Sequence, residues 1–379
     1  ITLYHLIFIV KIKIIMNICI IGDGLTSLSL AKNLINKKIN VHFYHRNKVK
    51  NLTSSRTIGI SKNNLEFFKK EIYEITNKNY WEIKKIEIYS QKLKNENLLK
   101  FENKKNDLFY MIKNDKLYSL LRKKIFKNKF FKRIIIKDNF NEEMLNKKQY
   151  DLIINCDSNN FLAKKYFRKK IEKDYYNLAY TTILEHKRIE NNTAVQIFTE
   201  FGPIAFLPIS NTETSVVCSL DVKNRKFSDV EVTDLINKNN PKYEIKNMFR
   251  LTSFKLSSSN LRSYYHKNIL AFGDLLHRIH PFAGQGFNMT IRDIKILSEI
   301  IQSKIELGLQ IDCSISNIFE KQTKNKNFVF SNGIDFIYQI FNIEKETKNK
   351  NFNRILKVIG KNDNFNNFLI KFADRGINF

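Results

Sequence analysis

Residues 273–293, Gly273-Asp274-Leu-Leu-His277-Arg278-Ile-His280-Pro281-Phe-Ala-Gly284-Gln285-Gly286-Phe-Asn288-Met-Thr-Ile-Arg292-Asp293, gather groups that could hold a charged ligand. The chain carries 11 glycines and 4 prolines in 379 residues, and three of those glycines and one proline fall here, so this stretch needs bare backbone. Asn268 to Phe272 is apolar and reads as a short buried strand. It presents Asp274 at its carboxyl end, where open α/β sheets hold ligands. Pro281 forbids helix continuation, while Gly284 and Gly286 let backbone N–H groups approach a bound group closely. Phe287, Ile291, Ile294, Leu297, Ile300 and Ile301 then recur at helical spacing. A helix is therefore predicted to start near Asn288 with its positive end aimed at the glycines. Such a site suits an anion, or a ring that becomes anionic.

The amino-terminal half carries a second, independent signal. Ile18 to Ile21 is an apolar strand, followed by Gly22-Asp-Gly24-Leu-Thr-Ser27 and by Leu28, Leu30, Ala31 and Leu34 on a helical period. A strand, glycine turn and helix of this kind bind a dinucleotide pyrophosphate through the N–H groups at the helix start. Ser27 stands where a third glycine is usual, a small residue that still allows fairly close packing. Val41 to Tyr44 is the expected second strand, but the acid that would bond the adenosine ribose at its end is missing, and by register His45 occupies the place. Either His45 makes the ribose bond or binding is weaker.

These residues carry a resemblance. Residues 273–293 resemble the second flavin-binding motif of the class A flavoprotein aromatic hydroxylases, and His280-Pro281-Phe-Ala-Gly284-Gln285-Gly286-Phe-Asn288 is especially similar to the ubiquinone-biosynthesis branch. The resemblance implies that Asp274, after Gly273, binds the ribityl chain of FAD. It also implies that Pro281, Gly284, Gln285 and Gly286, with Asn288 behind them, lie beside the flavin. Ser54-Ser-Arg56-Thr-Ile-Gly-Ile-Ser61 resembles the family's arginine-containing loop, which makes Arg56 a cofactor contact; Asn114, opening a helix through Leu117, Leu120 and Leu121, matches another. A third motif, Tyr150-Asp151-Leu-Ile-Ile-Asn-Cys156-Asp157, keeps its aspartate. However, Ser158 replaces the family's glycine, and Phe161 and Lys164 stand where serine and arginine are preferred. In the family this motif serves both FAD and NAD(P)H, so its erosion bears on the reductive half-reaction more than on the fold.

The elements that must position these groups follow. Asn177 to Thr182, Ala194 to Phe198, Ile204 to Pro208 and Thr214 to Leu220 are short β-rich segments separated by turn residues, as an antiparallel sheet requires. The fold class that the resemblance implies is α/β: a Rossmann-like FAD-binding domain with an inserted antiparallel β-sheet substrate domain and a helical carboxyl terminus, similar to para-hydroxybenzoate hydroxylase. The expected divisions are FAD-binding residues 16–175 and 265–310, a substrate sheet over 176–264 and helices over 311–379. Ser331-Asn-Gly333-Ile-Asp335-Phe-Ile-Tyr338 resembles the carboxyl-terminal signature of the ubiquinone branch. A packing helix and an amphipathic, lipid-facing surface both account for it. Residues 1–15, ahead of Met16, are expected to be an upstream extension or mis-called start, with a targeting or anchoring tail as the alternative.

Composition bounds the rest. The chain is 43% hydrophobic, enough for a large core shared by two joined domains. Its formal net charge is +28, but lysine, asparagine and isoleucine are spread from end to end, and no basic cluster alternates with aromatics as a nucleic-acid groove needs. Attraction to an acidic lipid surface fits the charge. Cys19, Cys156, Cys218 and Cys313 form no Cys-x-x-Cys pair, and His277 and His280 have no further ligand cluster, so neither disulfides nor a metal is expected.

The resemblance thus implies an FAD-dependent monooxygenase that uses NAD(P)H and dioxygen to hydroxylate the ring of a polyprenylated phenol or quinol precursor of ubiquinone. A membrane-resident substrate, peripheral association with the bacterial inner membrane from the cytoplasm, and complexes with other ubiquinone-biosynthesis proteins would follow. No catalytic side chain is assigned; electrostatic support is expected from the Pro281 to Gly286 turn. A non-catalytic subunit of the same fold, or a related flavoenzyme such as a prenyl reductase, is the alternative.

Overall fold

The computed structural model describes residues 16–46, 56–91, 96–102, 107–136, 145, 150–280, 284–347 and 362–377. The expectations for residues 1–15 and for Pro281 lie outside these residues.

Three sheets organise the chain. The first has six strands: β1 (Asn17–Ile21), β2 (Asn40–Arg46), β8 (Phe131–Ile136), β9 (Leu152–Asn155), β16 (Tyr265–His266) and β17 (Ile269–Ala271), in the order β16-β17-β9-β1-β2-β8. All neighbours run parallel except the β16–β17 hairpin. β1 is central: Ile18 lies opposite Val41 of β2 on one side and Leu152 of β9 on the other. Ile18, Cys19, Ile20 and Ile21 are fully buried, as a central parallel strand is, which explains why the strand reads as a continuous apolar run. Helices α1 (Leu25–Asn36), α3 (Asn114–Ile125) and α6 (Gln285–Glu306) pack together beside this sheet. Each fully buried Leu or Ile contributes about 1.5–3 kcal/mol of transfer free energy, so this core of 46 buried side chains is the stable platform.

The second sheet has nine strands: β5 (Lys85–Ser90), β6 (Glu96–Glu102), β10 (Lys170–His186), β11 (Thr193–Thr199), β12 (Gly202–Pro208), β13 (Glu213–Asp221), β14 (Ile245–Met248), β15 (Thr252–Leu261) and β18 (His277–Arg278). The four segments expected from turn spacing fall within β10 to β13, and these pair antiparallel. Two strands from the stretch assigned by sequence to the first FAD-binding part also belong here: β5 pairs parallel with β11, and β6 pairs antiparallel with β5. Strand alternation in 85–102 is visible in the sequence, but its partner lies more than 100 residues away. A three-stranded sheet, β3 (Thr57–Ser61), β7 (Phe109–Lys113) and β4 (Trp81–Ile83), lies between, with the short helix α2 (Lys62–Phe67) after β3.

Helices α4 (Phe161–Tyr166) and α5 (Asp229–Lys238) follow β9 and β13. The chain then closes with α7 (Cys313–Thr347) and α8 (Asp363–Arg375). One apolar cluster joins the two halves: Ile88, Leu99 and Phe198 of the large sheet meet Ile279, Met289, Phe330, Ile334 and Tyr338.

Candidate functional site

β1, β9 and β17 end along one edge, at the point where strand order diverges from β1 towards β2 on one side and β9 on the other, the position at which parallel sheets bind ligands. Gly22 follows β1 with φ +130, and its N–H donates to the Tyr44 carbonyl at 2.9 Å. A Cβ built on Gly22 would come within 2.8 Å of Ser27 Oγ and 3.3 Å of Cys156 Cβ. Ser27, buried in α1, therefore fills the space a third glycine would leave, and glycine is required at 22 rather than at 27. At Gly24 a Cβ would meet nothing within 4 Å among the described residues. No side chain there caps the start of α1, and its first turn holds no carboxylate. The N–H groups are thus left to an anion.

The second motif arrives at the same place. Gly273 adopts φ +63, and a Cβ on it would lie 2.6 Å from Cγ2 of Thr26 in the first turn of α1. Asp274 stands exposed beside that contact. Two segments some 250 residues apart in sequence therefore share one rim, which a single dinucleotide can span. Burial, followed by the charges of Asp274 and Asp157, pushes the Cys156 thiol up to about 12, so at neutral pH it remains an inert, protonated side chain.

The helix predicted from Asn288 begins three residues earlier, at Gln285, with Gly284 as its N-cap in the left-handed conformation, φ +63. The apolar period could not reveal this, because Gln285 and Gly286 carry no apolar signal. Gln285 is fully buried, and a Cβ on Gly286 would meet no described atom within 4 Å. The first turn of α6, like that of α1, holds no acidic residue and no side-chain cap among the described residues. Gly284 rests on Gly59 of β3, 3.8 Å from its nitrogen to the built Cβ.

Asn288, grouped by sequence with the cofactor contacts, has its amide committed to protein. Its Oδ1 accepts from Ser61 N at 2.9 Å and Asn64 Nδ2 at 3.0 Å, while its Nδ2 donates to the Gly59 carbonyl at 2.9 Å. It locks β3 to the start of α6. His45 is likewise engaged: Nδ1 bonds the Arg46 carbonyl at 3.0 Å, and Nε2 accepts from Arg133 Nε. Burial, with help from Arg133, holds its pKa below the ordinary histidine value, so the neutral ring keeps both bonds and leaves neither nitrogen for a ribose.

Arg56 is exposed, its guanidinium 4.8 Å from the Phe254 ring centre, and its carbonyl accepts from Asn114 N at 3.0 Å, which brings these two expected contacts together. Asp157 caps Asn159 N at 2.8 Å and lies 4.0 Å from Arg46. That ion pair reaches from the end of β2 to the end of β9, past Gly22. Sequence reasoning missed Arg46, although its place one residue beyond His45 at a strand end was a signal. It also missed a cleft of about 410 Å³ beside Asp274, lined by Ser158, Lys164, Arg168, Lys170 and Arg278 among others. His277 bonds Asp293, which accepts from Asn327 at 3.1 Å, and so ties β18 to α6 and α7.

Among the described residues, two helix starts without a side-chain cap, open space at Gly24 and Gly286, and an exposed carboxylate beside the first of these starts fit FAD. The adenosine ribose is the one part for which the expected acid is absent.

Comparison with known proteins agrees. A family model described as FAD binding domain matches residues 170–306. A mitochondrial ubiquinone biosynthesis monooxygenase of Dictyostelium discoideum is 25% identical over 86% of this chain and 84% of its own length. The 3-demethoxyubiquinol 3-hydroxylase of Escherichia coli is 26% identical over 39% of each chain. In fold, p-nitrophenol 4-monooxygenase of Pseudomonas putida superposes with a TM-score of 0.73 over 95% of this chain and 97% of its own, at 12% identity. HpxO of Klebsiella pneumoniae, solved with FAD and uric acid, gives 0.67 over 94% and 96%, also at 12% identity. The chain is thus similar, in sequence and in fold, to FAD-dependent hydroxylases that include the ubiquinone-biosynthesis monooxygenases.

Proposed function

We propose that this chain binds FAD and, with NAD(P)H and dioxygen, hydroxylates the aromatic ring of a polyprenylated phenol or quinol on the way to ubiquinone. The observation that carries the reading is the seating of Gly273 on Thr26, which sets Asp274 beside the start of α1. The substrate class rests on the two ubiquinone-biosynthesis relatives.

FAD, once bound, supplies the redox and oxygen-transfer chemistry. The chain's own residues bind and orient. The start of α1 takes the pyrophosphate, Asp274 the ribityl hydroxyls, and the start of α6 favours negative charge on the ring beside it. The sheet built from β10 to β13 shares an apolar cluster with α6 through Phe198 and Met289 and suits the role of substrate wall.

In the cleft beside Asp274, the side chains of Lys164, Arg168, Lys170 and Arg278 suit the phosphates of the nicotinamide nucleotide. Its position beside Asp157 and Ser158 supports co-substrate binding despite the eroded motif.

Membrane association is part of the proposal. Phe328, Val329 and Phe336 on α7 and Phe365 and Phe368 on α8 are exposed, and the net charge is +28. No helix among the described residues is long and apolar enough to cross a membrane, so a surface contact with anionic lipid is the form this takes.

The test is direct. Purified protein should be yellow, and a prenylated phenol should stimulate its NAD(P)H oxidation and become one oxygen atom heavier. The double variant Lys164→Ala, Arg168→Ala should raise KM for NAD(P)H by about tenfold or more, as expected for losing two charge-assisted phosphate contacts. Colourless protein that cannot be reconstituted with FAD would instead point to a non-catalytic subunit.

A further inference from the structure

We infer that His280, clasped between Tyr175 and Tyr338, is a positioning residue that fixes the start of α6 relative to the substrate sheet. It thereby sets how closely the substrate ring and the flavin meet. This rests on the hydroxylase reading above and deepens it.

His280 is 1% exposed and four residues ahead of Gly284. Its imidazole stacks on the Tyr338 ring, centroids 4.0 Å apart at 27°, and meets the edge of Tyr175 at 4.7 Å and 85°. The two tyrosines contact each other at 5.4 Å, closing a three-ring cluster. Each is pinned at its hydroxyl: Tyr338 Oη accepts from Asn177 Nδ2 at 2.7 Å, and Tyr175 Oη donates to Asp335, which lies 3.8 Å from Lys173. Burial and the Asp335 carboxylate raise the Tyr175 phenol above its ordinary range, so it stays protonated and keeps donating.

Three parts of the molecule meet here. Lys173, Tyr175 and Asn177 belong to β10, in the substrate sheet; Asp335 and Tyr338 belong to α7; His280 belongs to the strand-to-helix connection of the flavin site. The sequence of β10 is shaped for this contact. Its pairing with β15 passes from Asp174–Ser257 to Asn177–Leu256, leaving Tyr175 and Tyr176 outside the ladder, and Tyr176 takes the left-handed conformation at φ +54. A positive φ in an aromatic residue costs free energy, and such cost is retained where geometry matters. The bulge frees Tyr175 to reach His280. Around the rings, Ile279, Met289, Phe330 and Ile334 form the apolar cluster that joins the two halves, so a shift of β10 or α7 is passed to Met289 in the first turns of α6 through close packing.

Ring contact and hydrogen bond can be separated by substitution. Tyr338→Phe keeps the stack on His280 and loses the Asn177 bond, whereas Tyr338→Leu removes the ring. FAD-loaded protein should be compared by iodide quenching of bound-flavin fluorescence, by the FAD dissociation constant, and by peroxide released per NAD(P)H consumed. With Tyr338→Leu, FAD should stay bound while iodide reaches the flavin more readily and peroxide release rises by about tenfold, the scale on which a sub-ångström to ångström misplacement acts; Tyr338→Phe should remain close to the native protein. Tyr175→Leu, which removes the second ring from the strand side, should behave as Tyr338→Leu and decides the matter if that variant does not fold. Bound FAD with unchanged quenching and unchanged peroxide release in the leucine variants would overturn the inference and leave the hydroxylase reading intact. A native chain that binds no FAD would instead overturn the reading itself.

Discussion

His280 illustrates how a residue's type and its surroundings divide the work. The sequence marks it as a neighbour of the glycine turn, while the structure supplies the reason for its neutrality: burial, aided by Lys173, lowers its pKa to about 3. In the unfolded chain the value is near 6.5. Because the folded value is the lower one, the unfolded state binds the extra proton first as the pH falls. The neutral ring's contribution to stability is therefore complete above about pH 6.5 and is lost progressively between there and pH 3, at up to about 1.4 kcal/mol per pH unit. Denaturant unfolding at pH 7 and pH 4.5 should show a smaller loss for His280→Phe, which keeps a ring but cannot titrate, than for the native chain. Equal losses would mean that His280 is not the buried base described. At this scale the positive φ of Gly22, Gly273 and Gly284 follows from local chemistry. The protein partners of His45 and Asn288 do not, since Arg133 and Ser61 lie 88 and 227 residues away.

Among the elements, α6 and β3 depend on one amide. Asn288→Ala would leave the Gly59 carbonyl and the Ser61 N–H without that partner in a buried place, at a cost of about 1–3 kcal/mol for each group left unsatisfied. The expected outcome is a lower unfolding midpoint together with weaker FAD retention, because β3 holds Gly59 against Gly284. A variant with native stability would show that the Asn288 bonds carry little. The strands β1, β2 and β10 to β13 could be read from apolar periodicity and turn residues. The parallel pairing of β5 with β11 could not, because alternation identifies a strand without naming its neighbour. The start of α6 was misplaced for a related reason: the Gly284 cap is a backbone conformation, and the apolar stripe begins only after it.

For the whole molecule, charge and exposed aromatics lead to a binding prediction. The protein should sediment with anionic vesicles at low salt and much less at high salt, since Debye screening shortens to about 3 Å at 1 M. Phe365→Ser with Phe368→Ser should weaken that binding while leaving FAD content unchanged; equal binding by native and variant protein, to anionic and neutral vesicles alike, would remove α8 from the membrane face. The central claim is that one FAD spans both glycine turns. Its most direct test uses positions where an added Cβ meets no described atom within 4 Å, Gly24 and Gly286. The variants Gly24→Leu and Gly286→Leu should fold as the native chain does, yet each should lose FAD affinity by about a hundredfold or more, roughly 2.7 kcal/mol. Native-like FAD binding by either folded variant would contradict the account.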